Sequence, residues 1–276
     1  MECQKESGRD EMNLAEMPIA FISDRVPAGC GNVLVYEGQH GRLTVRASEG
    51  LKLPTAPDTD VIIGLIQLTK LRNNFTDATV PFTRHELLML MGWPNRGQYC
   101  RRLGESLKRW VGITLFYEGG WWDNSSRCRV DASFHILDDV TIFDEEVKRT
   151  LRARRRPLPQ STFTWGKKFF RSCRANNLKR LDVAAYFALN SSISKQMFRF
   201  LDKRMYACDE CEFDLRGFAF GHIGLSRNYT DAKIKEKLKP ALEELKAIGF
   251  IHESQYVSPR RGSWAIRIVK GKRARA

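Results

Sequence analysis

The 276-residue chain is long enough for two domains of ordinary size. It carries 46 lysines and arginines against 32 aspartates and glutamates, a formal net charge of +14 that makes a polyanion a natural partner. The longest strongly apolar run, Val61 to Ile66, falls far short of the ~20 residues that cross a bilayer, and the charged opening MECQKESGRDEMN lacks the apolar stretch of a secretory signal. No membrane partner is expected. Seven cysteines scattered at positions 3, 30, 100, 128, 173, 208 and 211 do not form a disulfide framework, so reduced thiols in a cytoplasm are expected.

Residues 1–50 read as a partly flexible N-terminal segment. The first 60 residues hold ten acids against six bases and are expected to face away from a polyanion. The first module spans 51–143. Within it, Thr83 is placed to cap a helix and Glu86 to complete a capping box, and the helix runs to about Met91. Gly92-Trp93-Pro94-Asn95 ends it. A second helix starts near Gly97, with Leu103, Leu107 and Trp110 on its buried face. Gln98, Arg101, Arg102, Glu105 and Arg109 are expected to point largely outward. After Gly112 the pattern alternates from Ile113 to Tyr117, turns at Glu118-Gly119-Gly120, and resumes with Trp121-Trp122 and later residues 133–143. Helix, turn, helix and hairpin in this order make a winged helix.

Residues 144–160 read as a basic linker, with Lys148, Arg149, Arg152 and Arg154 to Arg156 ahead of Pro157 and Pro159. The second module, 161–276, ends in a basic tail. Its segment from Ser161 to Arg204 holds ten bases against two acids. The pattern of the first module then returns: a short helix from Asp214 to His222, a turn at Gly224, and a helix capped by Thr230 with Ile234, Leu238, Leu242 and Leu245 as its apolar stripe. Strands at 250–256 and 264–269 follow. Leu103, Leu107, Trp110 and Ile113 align with Leu238, Leu242, Leu245 and Ile248 without a gap. The expected fold is therefore α+β, with tandem winged-helix domains related by a pseudo-repeat.

A helix in the major groove reads base edges with Arg, Lys, Asn and Gln, while nearby cations hold phosphates. The first module offers Arg96, Gln98, Tyr99, Arg101 and Arg102; the second offers Arg227, Asn228, Tyr229, Lys233, Lys235 and Lys237. Arg260 and Arg261 sit at the expected tip of the last hairpin and suit phosphates. A solvated helical face is the plain alternative, but the winged-helix frame favours double-stranded DNA as partner. An enzyme is not expected: the five histidines are isolated, no His-x-His supports a nicking site, and no GxxxxGK[ST] supports an ATPase. No catalytic residue or cofactor is assigned. Cys208-Asp-Glu-Cys211 has the inner spacing of a zinc knuckle but lacks a second ligand pair at the usual distance, so no metal is expected.

The segment between the two patterns has an order of residues that composition does not explain. Phe163, Trp165, Phe169-Phe170, Ser172, Asn177, Lys179, Leu181-Asp182 and the helix ending Arg199 to Arg204, followed by His222 to Ser226, Ala232-Lys233 and Leu238 to Leu245, resemble the RepA-type plasmid replication initiator family. The resemblance spans about Leu51 to Val269, is weaker before Val80, and leaves residues 1–45 unmatched. It implies paired winged helices that bind repeated sites at a plasmid origin, help open the duplex, and recruit the host's replicative helicase and initiator proteins. It also implies self-repression as a homodimer, for which the first module, with fewer cations on its strands, is the expected surface. A winged-helix transcription regulator with no replication role is the competing reading.

Overall fold

The computed structural model describes residues 8–143, 159–260 and 262–272, with the side chains of 259 and 260 excepted. It is a mixed α+β protein. No described helix is long and apolar enough to cross a membrane. Most of the expected linker, Arg261 and the last residues of the tail lie outside the described residues.

The first expected pattern is realised with its neighbours attached. Helix α2 (Ala56–Asn73) leads into strand β4 (Thr79–Phe82), helix α3 (Arg84–Leu90), helix α4 (Gly97–Val111) and the hairpin of β5 (Ile113–Asp123) and β6 (Cys128–His135). The Thr83 hydroxyl accepts from Glu86 N at 3.1 Å. The expected capping box is only half made, because the Glu86 carboxylate turns to Arg72, at 2.7 and 2.8 Å. Gly92 supplies the left-handed residue, φ 68°, that reverses the chain between α3 and α4. The hairpin turn differs from expectation. Glu118-Gly119-Gly120 is a bulge inside β5, where pairing with β6 skips from Tyr117 to Trp121, and the chain reverses only at Asn124 to Arg127. The bulge accommodates a strand the local pattern does not reveal: β3 (Gly41–Ala47), whose Gly41 lies so close that a Cβ would sit 2.4 Å from Glu118 O.

The second pattern follows the same order. Two short helices, α5 (Lys167–Arg174) and α6 (Val183–Ala188), lead to helix α7 (Ser192–Arg204). Strand β10 (Glu210–Asp214), a π-helical segment (Gly217–Ile223), helix α8 (Asp231–Ala247) and the hairpin β11 (Ile251–Arg260) and β12 (Ser263–Lys270) come next. Thr230 caps α8 by accepting from Lys233 N. The sheet is ordered β10-β12-β11. Leu103, Ser106, Leu107 and Trp110 of α4 are buried, as are Leu238, Ala241, Leu242 and Leu245 of α8.

Long-range pairings join what local patterns separate. Strand β8 (Ser161–Trp165), expected to open the second module, is the central strand between β4 and β7 (Leu137–Thr141). The N-terminal segment from residue 8 onward is not an appendage: β2 (Val33–Gly38) and β3 extend the β5-β6 hairpin into a four-stranded sheet. Strand β1 (Gly8–Glu11) pairs with β9 (Leu178–Leu181), and the short helix α1 (Met12–Glu16) packs on α7. Ionic contacts follow the same route. Asp10 pairs with Arg199, Glu16 with Lys203 and Arg204, and Asp60 of α2 accepts from Tyr186 Oη at 2.8 Å and Lys195 Nζ at 2.6 Å. One continuous apolar cluster, from Leu14 to Ile268, runs through both expected modules.

Candidate nucleic-acid interface

Helix α4 is held from behind. Its Trp110 indole donates to Asp58 O at 2.8 Å, and its Arg109 pairs with the Asp58 carboxylate, which also closes the capping box of α2 through Thr55 N. Arg109 is therefore a structural anchor and not an outward residue. With the apolar face and Arg109 committed, the leading end of α4 presents Arg96, Gln98 and Arg101, all exposed and, among the described residues, without ion pairs. Arg102 lies over the Trp93 ring at 5.3 Å from its centroid, and Tyr99 packs half-buried against the same ring. These two brace the turn, and Arg102 remains exposed beside the three free residues.

The second run is more heavily engaged. Arg216 pairs with Asp231 at 2.7 Å, fixing the approach to α8. Arg227 is exposed but bonded to Glu37 of β2 at 2.7 Å, and Lys233 is bonded to Glu236 at 2.6 Å. Asn228 is exposed, Tyr229 is packed half-buried against the core, and Lys237 is half-buried without an ion pair among the described residues. Lys235 departs from expectation: its Nζ sits 2.8 Å from the Trp264 ring centroid and 5.2 Å from that of Tyr256. It packs against the hairpin, where desolvation lowers its pKa. Arg260 is described only in its backbone, opposite Ser263 at the end of the hairpin, and Arg261 lies outside the described residues.

Cys208 and Cys211 lie side by side as free thiols, Sγ to Sγ 2.8 Å, and burial pushes the Cys211 thiol up to about 12. Among the described residues no group of three or more His, Cys, Asp or Glu is placed to hold a metal. Trp121 is buried and Trp122 half-buried, a packing pair and not an open stacking platform.

The whole is a basic α+β protein in which two successive runs of helix, turn, helix and hairpin grow from a shared core. Residues 9–217 match the model of the replication initiator protein A family, and the chain belongs to that family. The match begins well before Leu51, taking in β1 to β3, and ends before α8, so the second long helix lies beyond it. Among curated proteins none matches. Two crystal structures containing domains 2 and 3 of RctB share the fold at 14% identity. For the selenomethionine derivatives the TM-score is 0.55, covering 94% of this chain and 98% of that one; for the other it is 0.54, covering 95% and 98%.

Proposed function

We propose that this replication initiator acts at a plasmid origin in the bacterial cytoplasm, binding repeated double-stranded DNA sites through two winged-helix modules related by a pseudo-repeat. The observation that carries the reading is the leading end of α4, where Arg96, Gln98 and Arg101 are exposed and without ion pairs among the described residues, while the apolar residues Leu103, Leu107 and Trp110 behind them are buried. Arginine and glutamine in that position suit base edges and phosphates alike. The matching buried positions of α4 and α8 support the pseudo-repeat. Because the modules share one core, they engage DNA at a fixed separation, and binding of the first raises the effective concentration of the second. Smooth bending of a short site costs about 1–6 kcal/mol, which several phosphate contacts can offset, and origin opening draws on that deformation. The protein works by binding without a chemical step of its own, recruits the host helicase and initiator proteins, and represses its promoter as a homodimer.

Binding of the full chain to duplexes from its own replicon, followed by fluorescence anisotropy across a salt series, tests this. The parent binds a set of direct repeats with a steep salt dependence, and Arg96→Ala and Arg101→Ala each weaken binding by about 1–3 kcal/mol if they reach bases. Absence of binding to any DNA of that replicon sinks the initiator reading. Unchanged affinity of both variants sinks the assignment of α4.

A further inference from the structure

A second concentration of positive charge, unpaired among the described residues, lies away from α4 and α8, around helix α5 and the β1-β9 sheet. Helix α5 buries Phe169, Ser172 and Cys173, leaving Lys167, Arg171 and Arg174 at i, i+4 and i+7 on its exposed face. Arg174 forms a wall shared by two clefts. One, about 600 Å³, is lined by Arg9, Arg174 and Arg180 with Thr76, Asn74 and Asn176, and by no acidic residue among those described. The other, about 570 Å³, adds Lys167, Arg171 and the half-buried Phe170, with Asp138 as its acid. The tip of the β5-β6 hairpin is tied to the end of α5, Asn124 Nδ2 donating to Ala175 O at 2.6 Å, so exposed Arg127 continues the same surface.

Arg9 and Arg180 face each other directly across the β1-β9 pair. Like charges in direct cross-strand register oppose pairing, and these strands are only four residues long. Nearby cations that hold the fold are neutralised: Lys179 by Asp202, Arg199 by Asp10, Lys168 by Asp123. Arg9, Lys167, Arg171, Arg174 and Arg180 make no ion pair among the described residues. Three guanidinium groups lining a cleft that holds no acid among the described residues call for an anion, and their planar forks match the oxygens of a phosphate.

We propose that the Arg9–Arg174–Arg180 cleft is a second phosphate-binding site, which holds the sugar–phosphate backbone of duplex DNA apart from the contacts made by the two long helices. It rests on the reading of this chain as a DNA-binding initiator. Its contribution is independent of sequence and sensitive to salt.

The test compares the full-length parent, the triple variant Arg9→Gln/Arg174→Gln/Arg180→Gln, Arg180→Glu and Arg101→Ala on an origin duplex across a salt series. Releasing one phosphate makes the slope of log K against log salt shallower by ~0.9, so the triple variant is expected to lose about 2 to 3 units of slope. Arg180→Glu replaces a repulsive cross-strand pair with an attractive one, so it is expected to melt no lower than the parent while also binding DNA more weakly. A triple variant with the parent's affinity and slope, alongside a weakened Arg101→Ala, overturns the cleft and leaves the DNA reading intact. If the parent binds no duplex, the DNA reading fails and pyrophosphate decides the cleft. Stabilisation of the parent by pyrophosphate over chloride at matched ionic strength, lost in the triple variant, retains a phosphate site for a free phosphorylated ligand; equal shifts in both overturn it.

Discussion

The tie between the N-terminal strand and α7 gives the sharpest stability prediction. Asp10 and Arg199 are 0% and 1% exposed, and both carboxylate oxygens accept from the guanidinium, Oδ2 from Nε and Oδ1 from Nη2, each at 2.8 Å. Burial alone would lower the pKa of Arg199; Asp10 more than reverses this and holds it above its ordinary value. Asp10→Ala leaves a guanidinium that cannot shed its proton inside the core, with Nη1 already lacking a hydrogen-bond partner among the described residues. Removing one partner of such a pair costs about 3–5 kcal/mol, whereas replacing both with apolar residues of similar volume is close to neutral. At ~2–4 °C per kcal/mol for a chain of this size, the melting temperature drops by about 6–20 °C. Urea unfolding followed by tryptophan fluorescence measures the loss, and Asp10→Leu/Arg199→Met recovers most of it. A loss under ~1 kcal/mol for Asp10→Ala, the range of an exposed pair, would refute the role of this pair as the bolt that closes β1 onto the core.

Three further outcomes are expected. Glu37→Ala frees Arg227; with both side chains about half exposed, at 52% and 54%, stability changes by less than ~1 kcal/mol while affinity for the origin duplex rises, and an unchanged affinity shows that Arg227 does not reach DNA. Lys235→Ala costs about 0.5–2 kcal/mol of stability by stripping the ammonium from the face of Trp264 and leaves the salt slope alone, whereas Lys237→Ala keeps stability and makes the slope shallower by ~0.9; exchanged phenotypes would reverse the two assignments. On acidification, buried His222, held below its ordinary 6.5 by desolvation although Nδ1–H donates to Glu16 O at 2.9 Å, resists the proton that the unfolded chain takes up. Its contribution is present above pH 6.5 and is lost as pH falls from there toward its lowered value. Glu16 adds a loss below 4.5: burial would raise it, but Lys203 and Arg204 hold it lower. Glu11, raised by burial, works in the opposite sense by favouring its protonated form in the folded state. Chemical denaturation of the parent and His222→Gln across this range isolates the histidine, and a constant difference between the two would contradict its buried neutral state.

Local chemistry made much of the candidate interface legible. The spacing of Leu103, Leu107 and Trp110, the threonine caps at 83 and 230, and the paired strands that follow each long helix all act within a few residues, so they leave a pattern that periodicity detects. The ion pair of Arg109 with Asp58 and the seat of Lys235 over Trp264 left no such local pattern. Periodicity fixes the angle of a side chain around its helix but not what stands opposite, and Asp58 and Trp264 come from distant parts of the chain. The double glycine at 119 and 120 read as a turn for the same reason: its bulge lies against Gly41 of β3, distant in sequence, at a separation that leaves no room for a Cβ there.

The sequence by itself determined the class of the elements, the order in which they recur and the excess of positive charge, since each follows from propensity, capping and composition. The tertiary structure alone decided which charges are free. It inserted β8 between β4 and β7, drew the acidic N-terminal segment into the core, and assigned partners to Arg109, Arg199 and Arg227 while leaving Arg96, Arg101 and the Arg9–Arg180 pair without any among the described residues. A cation's availability depends on carboxylates that folding brings within a few ångströms, and separation along the chain carries no record of that distance.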